Sequence, residues 1–121
     1  MGKPADFIGQ LFLARDVTHS VHLNTRSYAK HKALQKFYEN IIDLADGLAE
    51  CYQGRYGLIG PITLQSAKKT SNITEFLQSQ MEELESERYN AFEKSDTPIQ
   101  NLIDGIIELY ASTLYKLKFL S

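Results

Sequence analysis

From Ile99 to Leu120 the residues Ile99, Ile103, Ile106, Tyr110, Thr113, Leu117 and Leu120 return at alternating steps of four and three. This spacing presents one continuous face of an α-helix for burial. A strand cannot use it, because its side chains alternate with a period of two. Asp96 or Thr97 caps the segment, and Pro98 lies in the first turn, where a missing N–H costs nothing. A second stripe of the same kind (Leu34, Phe37, Ile41, Leu44, Leu48, Cys51) runs through Tyr28–Tyr52. Two such stripes in one chain must be buried against further helices.

Two more segments supply them. In residues 6–23, Leu11, Ala14, Thr18 and Val21 share a face, and Asn24–Ser27 forms a short turn with Ser27 as the cap of the helix that begins at Tyr28. In residues 72–92, Asn72 and Glu75 make a capping-box-like pair, and Leu77, Met81 and Leu84 face inward. The acidic side of that segment (Glu82, Glu83, Glu85, Glu87) reads as a solvated face. Gly54 is placed to end the second helix. Residues 53–71 then form a connector of about 19 residues, too long for a tight turn and suited to a crossover along a bundle. The expectation is one all-α domain over residues 1–121: an antiparallel four-helix bundle, ferritin-like in helix order, with helices at about 6–23, 28–52, 72–92 and 97–120.

The chain has 121 residues, 43% of them hydrophobic and 23% charged, enough for a real core without staples. Its formal net charge of −2 gives bulk electrostatics no pull towards nucleic acid or an anionic membrane. Cys51 is the single cysteine and cannot form an intrachain disulfide; it reads as a small core hydrophobe. With no N-terminal apolar h-region, this points to the cytoplasm, and no apolar run reaches the roughly 20 residues that span a bilayer. A glycine-rich phosphate loop, Cys-x-x-Cys, His-Glu-x-x-His and the nucleophile elbow are all missing. Any Ser-His-Asp arrangement would have to use His19, His22 or His31. The tyrosines read as core and interface residues, and Lys116 and Lys118 as complements to the dipole at the end of the last helix.

The second helix carries the residues with chemical potential: His31, Asp43, Asp46 and Glu50. At about 100° per residue from His31, its core stripe spans roughly 200–300°. Tyr38, Ala45, Ala49 and Ile42 widen the apolar arc to roughly 20°, while Asp46, Glu50 and Asp43 come next at about 60°, 100° and 120°. So wide an arc leaves surface for a second chain. His31 and Asp46 lie about 22 Å apart along the helix, whereas metal–ligand bonds are near 2 Å. One chain therefore cannot bring both to one ion. Two copies antiparallel across a twofold axis can, making two equivalent sites. Glu39 and Asp43 would then be outer carboxylates or simply solvated; His31 by itself reads as a surface or interface histidine near a helix start, and it is the joint spacing with Asp46 and Glu50 that sets a ligand role beside that reading.

The pattern resembles the Dps-type mini-ferritins. In that family the ligand spacing is His-x11-His-x14-Asp-x3-Glu, and His19, His31, Asp46 and Glu50 fall on it without a gap. The flanking text, His22-Leu-Asn-Thr-Arg-Ser-Tyr-Ala-Lys-His31-Lys-Ala-Leu, instead aligns His22 with the first ligand after a three-residue deletion. The same stretch is similar to short ferritin-like proteins of bacteriophages. The resemblance implies an oligomer, at least a dimer through the second helix and up to a dodecamer, in a bacterium or a phage-infected host. It implies a mono- or di-iron site between subunits, with ferroxidase activity towards Fe²⁺ and iron sequestration. The alternative is a non-enzymatic helical interaction protein that keeps the fold without the chemistry. The chain departs from the family at the tryptophan after the first His, replaced by Ser20 or Leu23. It also carries one lysine in Met1–Asp6, so DNA binding is not expected. Glu-x-x-His ligation inside one bundle is excluded, since no histidine follows His31.

Overall fold

The computed structural model describes residues 3–67 and 72–121. Four helices form: α1 (Pro4–Asn24), α2 (Tyr28–Tyr56), α3 (Ile73–Ala91) and α4 (Thr97–Phe119). Each start has a local cause. Pro4 opens α1 with its fixed φ. The Ser27, Asn72 and Asp96 side chains accept from the backbone N–H of Lys30, Glu75 and Ile99.

The helices pack as a ring in the order α1, α2, α4, α3. Arg55, near the end of α2, reaches Asp96 at the start of α4, and Lys118, near the end of α4, reaches Gln78 in α3. Neighbours in those pairs therefore run antiparallel, and the end of α2 and the start of α3 lie at opposite ends of α4. Between them the chain passes α1, where Gln10 Nε2 donates to Gln65 Oε1. A Cβ on Gly9 would meet the Thr63 carbonyl and Gln65 at 3.1 Å, so a side chain there would have to push the crossing segment back by a few tenths of an ångström. Ser71 and residues 68–70, the end of the expected connector, lie outside the described residues.

The core joins Phe7, Ile8 and Leu11 of α1, Leu34, Phe37, Ile41 and Leu48 of α2, Leu77 and Leu84 of α3, and Ile99, Ile103, Ile106 and Tyr110 of α4. Burying each such side chain contributes about 1.5–3 kcal/mol, which is what holds the ring closed.

Several boundaries differ from expectation. Gly54 does not end α2; the helix runs two residues further to Tyr56, and Gly57 ends it at φ +103°, its N–H bonded to the Gln53 carbonyl. The extra turn is held because Arg55 and Tyr56 both bond Asp96. Phe92 has left α3 and sits edge-on to Phe7 and to Tyr52. Leu44, Cys51, Met81 and Leu117 are only partly buried and Leu120 is half exposed, whereas Ala45, Gln80 and Leu114 are buried. A stripe drawn at 3.5 residues drifts about 20° per heptad on a straight helix, so its far end rotates out of the core.

Candidate functional site

The three histidines meet at the corner between α1 and α2. His22 lies in the last turn of α1 and is buried; His31 lies near the start of α2 and is half-buried. The last carbonyls of a helix have no partner within it. Val21 offers its carbonyl to Thr25 N–H, and the next, that of His22, accepts from His31 Nδ1 at 2.9 Å. His22 Nδ1 donates in return to the His31 carbonyl at 2.7 Å. The rings stack at 3.6 Å between centroids, 21° from parallel.

This reciprocity fixes the tautomer. A carbonyl oxygen only accepts, so each Nδ1 carries a proton, and Nε2 is the nitrogen each ring has left for a further partner. His19 stands one place out: its ring centroid is 6.1 Å from that of His22 and it stacks on Tyr38 at 4.3 Å. Arg15 lies over the same tyrosine at 5.6 Å. Tyr38 thus has the stacking role that the sequence did not suggest, and it places part of the wide apolar arc of α2 against α1.

Asp43, Asp46 and Glu50 are exposed along the second half of α2, and Glu39 accepts from Gln35 Nε2 at 2.9 Å. Among the described residues no three His, Cys, Asp or Glu side chains are grouped to hold a metal ion. The structure therefore brings His22 and His31 together and leaves Asp46 and Glu50 on the same helix, away from them.

Two polar clusters escaped sequence reasoning. At the far end, buried Asp96 accepts from Ile99 N–H on one oxygen and from Arg55 Nε (2.9 Å) and the Tyr56 hydroxyl on the other. The Tyr56 bond, then the Ile99 and Arg55 bonds, hold its carboxyl below the usual carboxylate range against the opposing effect of burial, while Tyr56 is pushed up by the same bond. A cleft of about 220 Å³ beside it is lined by Tyr52, Tyr56, Tyr89, Phe92 and Glu93. In the middle of the bundle, Tyr110 OH donates to Gln80 Oε1 at 2.6 Å, and Gln80 Nε2 donates to the Gln10 carbonyl and to Gln10 Oε1. Burial raises the Tyr110 phenol well above its ordinary value. The bundle's centre is therefore bridged by neutral groups. Asp96 was expected only as a cap; a buried Gln on a core stripe is the signal that could have revealed the second cluster.

No helix among the described residues is long and apolar enough to cross a membrane. The chain belongs to a protein family whose description reads "family of unknown function (DUF5856)", matched over residues 22–117. The match includes His22, His31, Asp46 and Glu50 and begins after His19. A relative in Enterobacteria phage T4, the "uncharacterized 14.6 kDa protein in mobD-ri intergenic region", is 28% identical over 119 residues, covering 96% of this chain and 91% of its own. That relative agrees with the phage side of the sequence resemblance; the mini-ferritin side rests on ligand spacing and helix order. No solved structure matches significantly.

Proposed function

We propose that this member of the family is a homo-oligomeric helical protein that binds Fe²⁺ between subunits, His22 and His31 of one copy facing Asp46 and Glu50 of its twofold mate. The observation that carries this reading is the pair of Nδ1–carbonyl bonds. Metal-ligating histidines commonly donate their other ring nitrogen to such a group, which orients the free nitrogen and raises its basicity. Two imidazoles alone are an incomplete site, and mixed nitrogen and oxygen donors suit Fe²⁺. Fe²⁺ held this way is a substrate for oxidation by dioxygen or peroxide, and sequestration would require a closed assembly.

A second reading has its own observation. The His22–His31 exchange satisfies the end of α1 and clamps the hairpin without any metal. On that reading the protein is a helical interaction module and the histidines are structural.

Anaerobic Fe²⁺ titration run beside light scattering separates the two. The metal reading predicts stoichiometric binding by a dimer or larger species, lost in His31→Ala and in Asp46→Ala. Binding that survives either change refutes the assigned ligands. An oligomer that ignores iron leaves the interaction module.

A further inference from the structure

The net charge conceals a segregation of charge on the α2–α4 side of the bundle. Residues 17–38 and 109–121 contain no Asp or Glu, yet carry Arg26, Lys30, Lys32, Lys36, Lys116 and Lys118. The fold brings these two stretches to the same end; Lys118 there faces the start of α3 with its Glu75 and Glu82, and away from that side a groove of about 350 Å³ opens between α2 and α4. It is lined by Ala29, Ala33 and Leu120 together with Lys32, Lys36 and Lys116. No carboxylate pairs with these three lysines among the described residues. The groove lies on the α4 side of α2, whereas His31 packs on the α1 side.

Around the groove the surface is apolar as well as basic. Leu23 (69% exposed), Tyr28 (74%), Tyr115 (55%) and Phe119 (73%) stand out from the same end. Tyr115 and Phe119 touch at 6.0 Å, and Lys32 lies over the Tyr28 ring. Lysines alone would suit any polyanion. Lysines interleaved with exposed Leu, Phe and Tyr match the composition of a surface that meets lipid, where aromatic rings sit at headgroup depth and basic groups meet phosphates.

We infer that this end of the bundle docks peripherally on an anionic phospholipid surface, with a lipid phosphate seated between Lys36 and Lys116 and Phe119 and Leu120 entering the acyl boundary. Burial first, and then the neighbouring Lys36 ammonium, lower the Lys116 pKa, and a phosphate bound between the two would relieve their repulsion.

The test is co-sedimentation of the full chain with vesicles of phosphatidylglycerol mixed into phosphatidylcholine, against phosphatidylcholine alone. Binding to the anionic vesicles only is expected, weakened about 10-fold or more by Lys36→Gln with Lys116→Gln, and weakened also by Phe119→Ser with Leu120→Ser. Lys94→Gln, at the opposite end, should leave it within twofold, and circular dichroism confirms that each variant is folded. Failure to bind anionic vesicles overturns the inference, as does binding that ignores both double changes. A 20-base-pair duplex bound through the same lysines, with no loss on changing Phe119 and Leu120, would assign the surface to nucleic acid and also overturn it.

Discussion

Replacing Tyr110 by Phe removes one hydroxyl from the centre of the bundle and asks whether the polar bridge there is needed. The Tyr110 ring is fully buried and its edge packs on Phe37 at 5.0 Å, so Phe fills the same space. What is lost is the 2.6 Å bond to Gln80 Oε1. The amide cannot compensate by flipping, because Gln80 Nε2 donates to the Gln10 carbonyl, and a flip would set oxygen against oxygen. A buried acceptor is thus left without a donor, at a cost of about 1–3 kcal/mol. For a domain of this size that lowers the Tm by roughly 4–12 °C, using about 2.1 cal/mol/K per residue for the unfolding entropy. Adding Gln80→Leu removes the orphaned oxygen, so the double variant should regain part of the loss in urea and thermal unfolding. A Tyr110→Phe protein within about 0.5 kcal/mol of the parent, or a double variant worse than the sum of the singles, would refute the assignment of that bond.

Three further outcomes rest on local geometry. Gly57→Ala should destabilise by about 1–3 kcal/mol, since φ is +103° there, whereas Gly54→Ala, inside α2 with open space at its Cβ, should stabilise by about 0.5–1 kcal/mol; thermal unfolding of both checks where the helix ends. The folded-state pKa of Asp96 lies below its unfolded value, so its contribution is present above the ordinary carboxylate value and is lost as pH falls through the folded one; Asp96→Asn should flatten that acid limb of urea midpoint against pH. The Lys116 pKa is lowered first by burial and then by Lys36, so Lys36→Gln should raise it towards its ordinary value, read by NMR titration of the Lys116 side chain.

Much of the fold was legible because periodicity and caps act locally. Ser27, Asn72 and Asp96 start helices where their side chains reach a backbone N–H three residues on, a property of neighbours in sequence. The end of α2 was not legible, because its last turn is secured by Asp96, about forty residues away. Gly54 looked like a stop only while that tether was invisible. The inward places of Ala45, Gln80 and Leu114 likewise depend on the tilt and drift of whole helices against one another. At the site, spacing alone could rank His19 and His22 equally. The fold distinguishes their surroundings: His22 meets the carbonyl of His31, while His19 meets the face of Tyr38. The carboxylates of Asp46 and Glu50 remain exposed, and a site completed by a second copy is by its nature not contained in one chain.

That dependence on two copies gives the most direct test. A His22→Ala/His31→Ala chain and an Asp46→Ala/Glu50→Ala chain are each prepared, confirmed folded, and titrated anaerobically with Fe²⁺, first alone and then after unfolding and refolding together. Neither chain should bind alone, and the mixture should regain iron binding, because a mixed pair contains one intact site formed by the histidines of one copy and the carboxylates of the other. A mixture as inert as its parts, under conditions where mixed oligomers are shown to form and the parent protein binds, would contradict it.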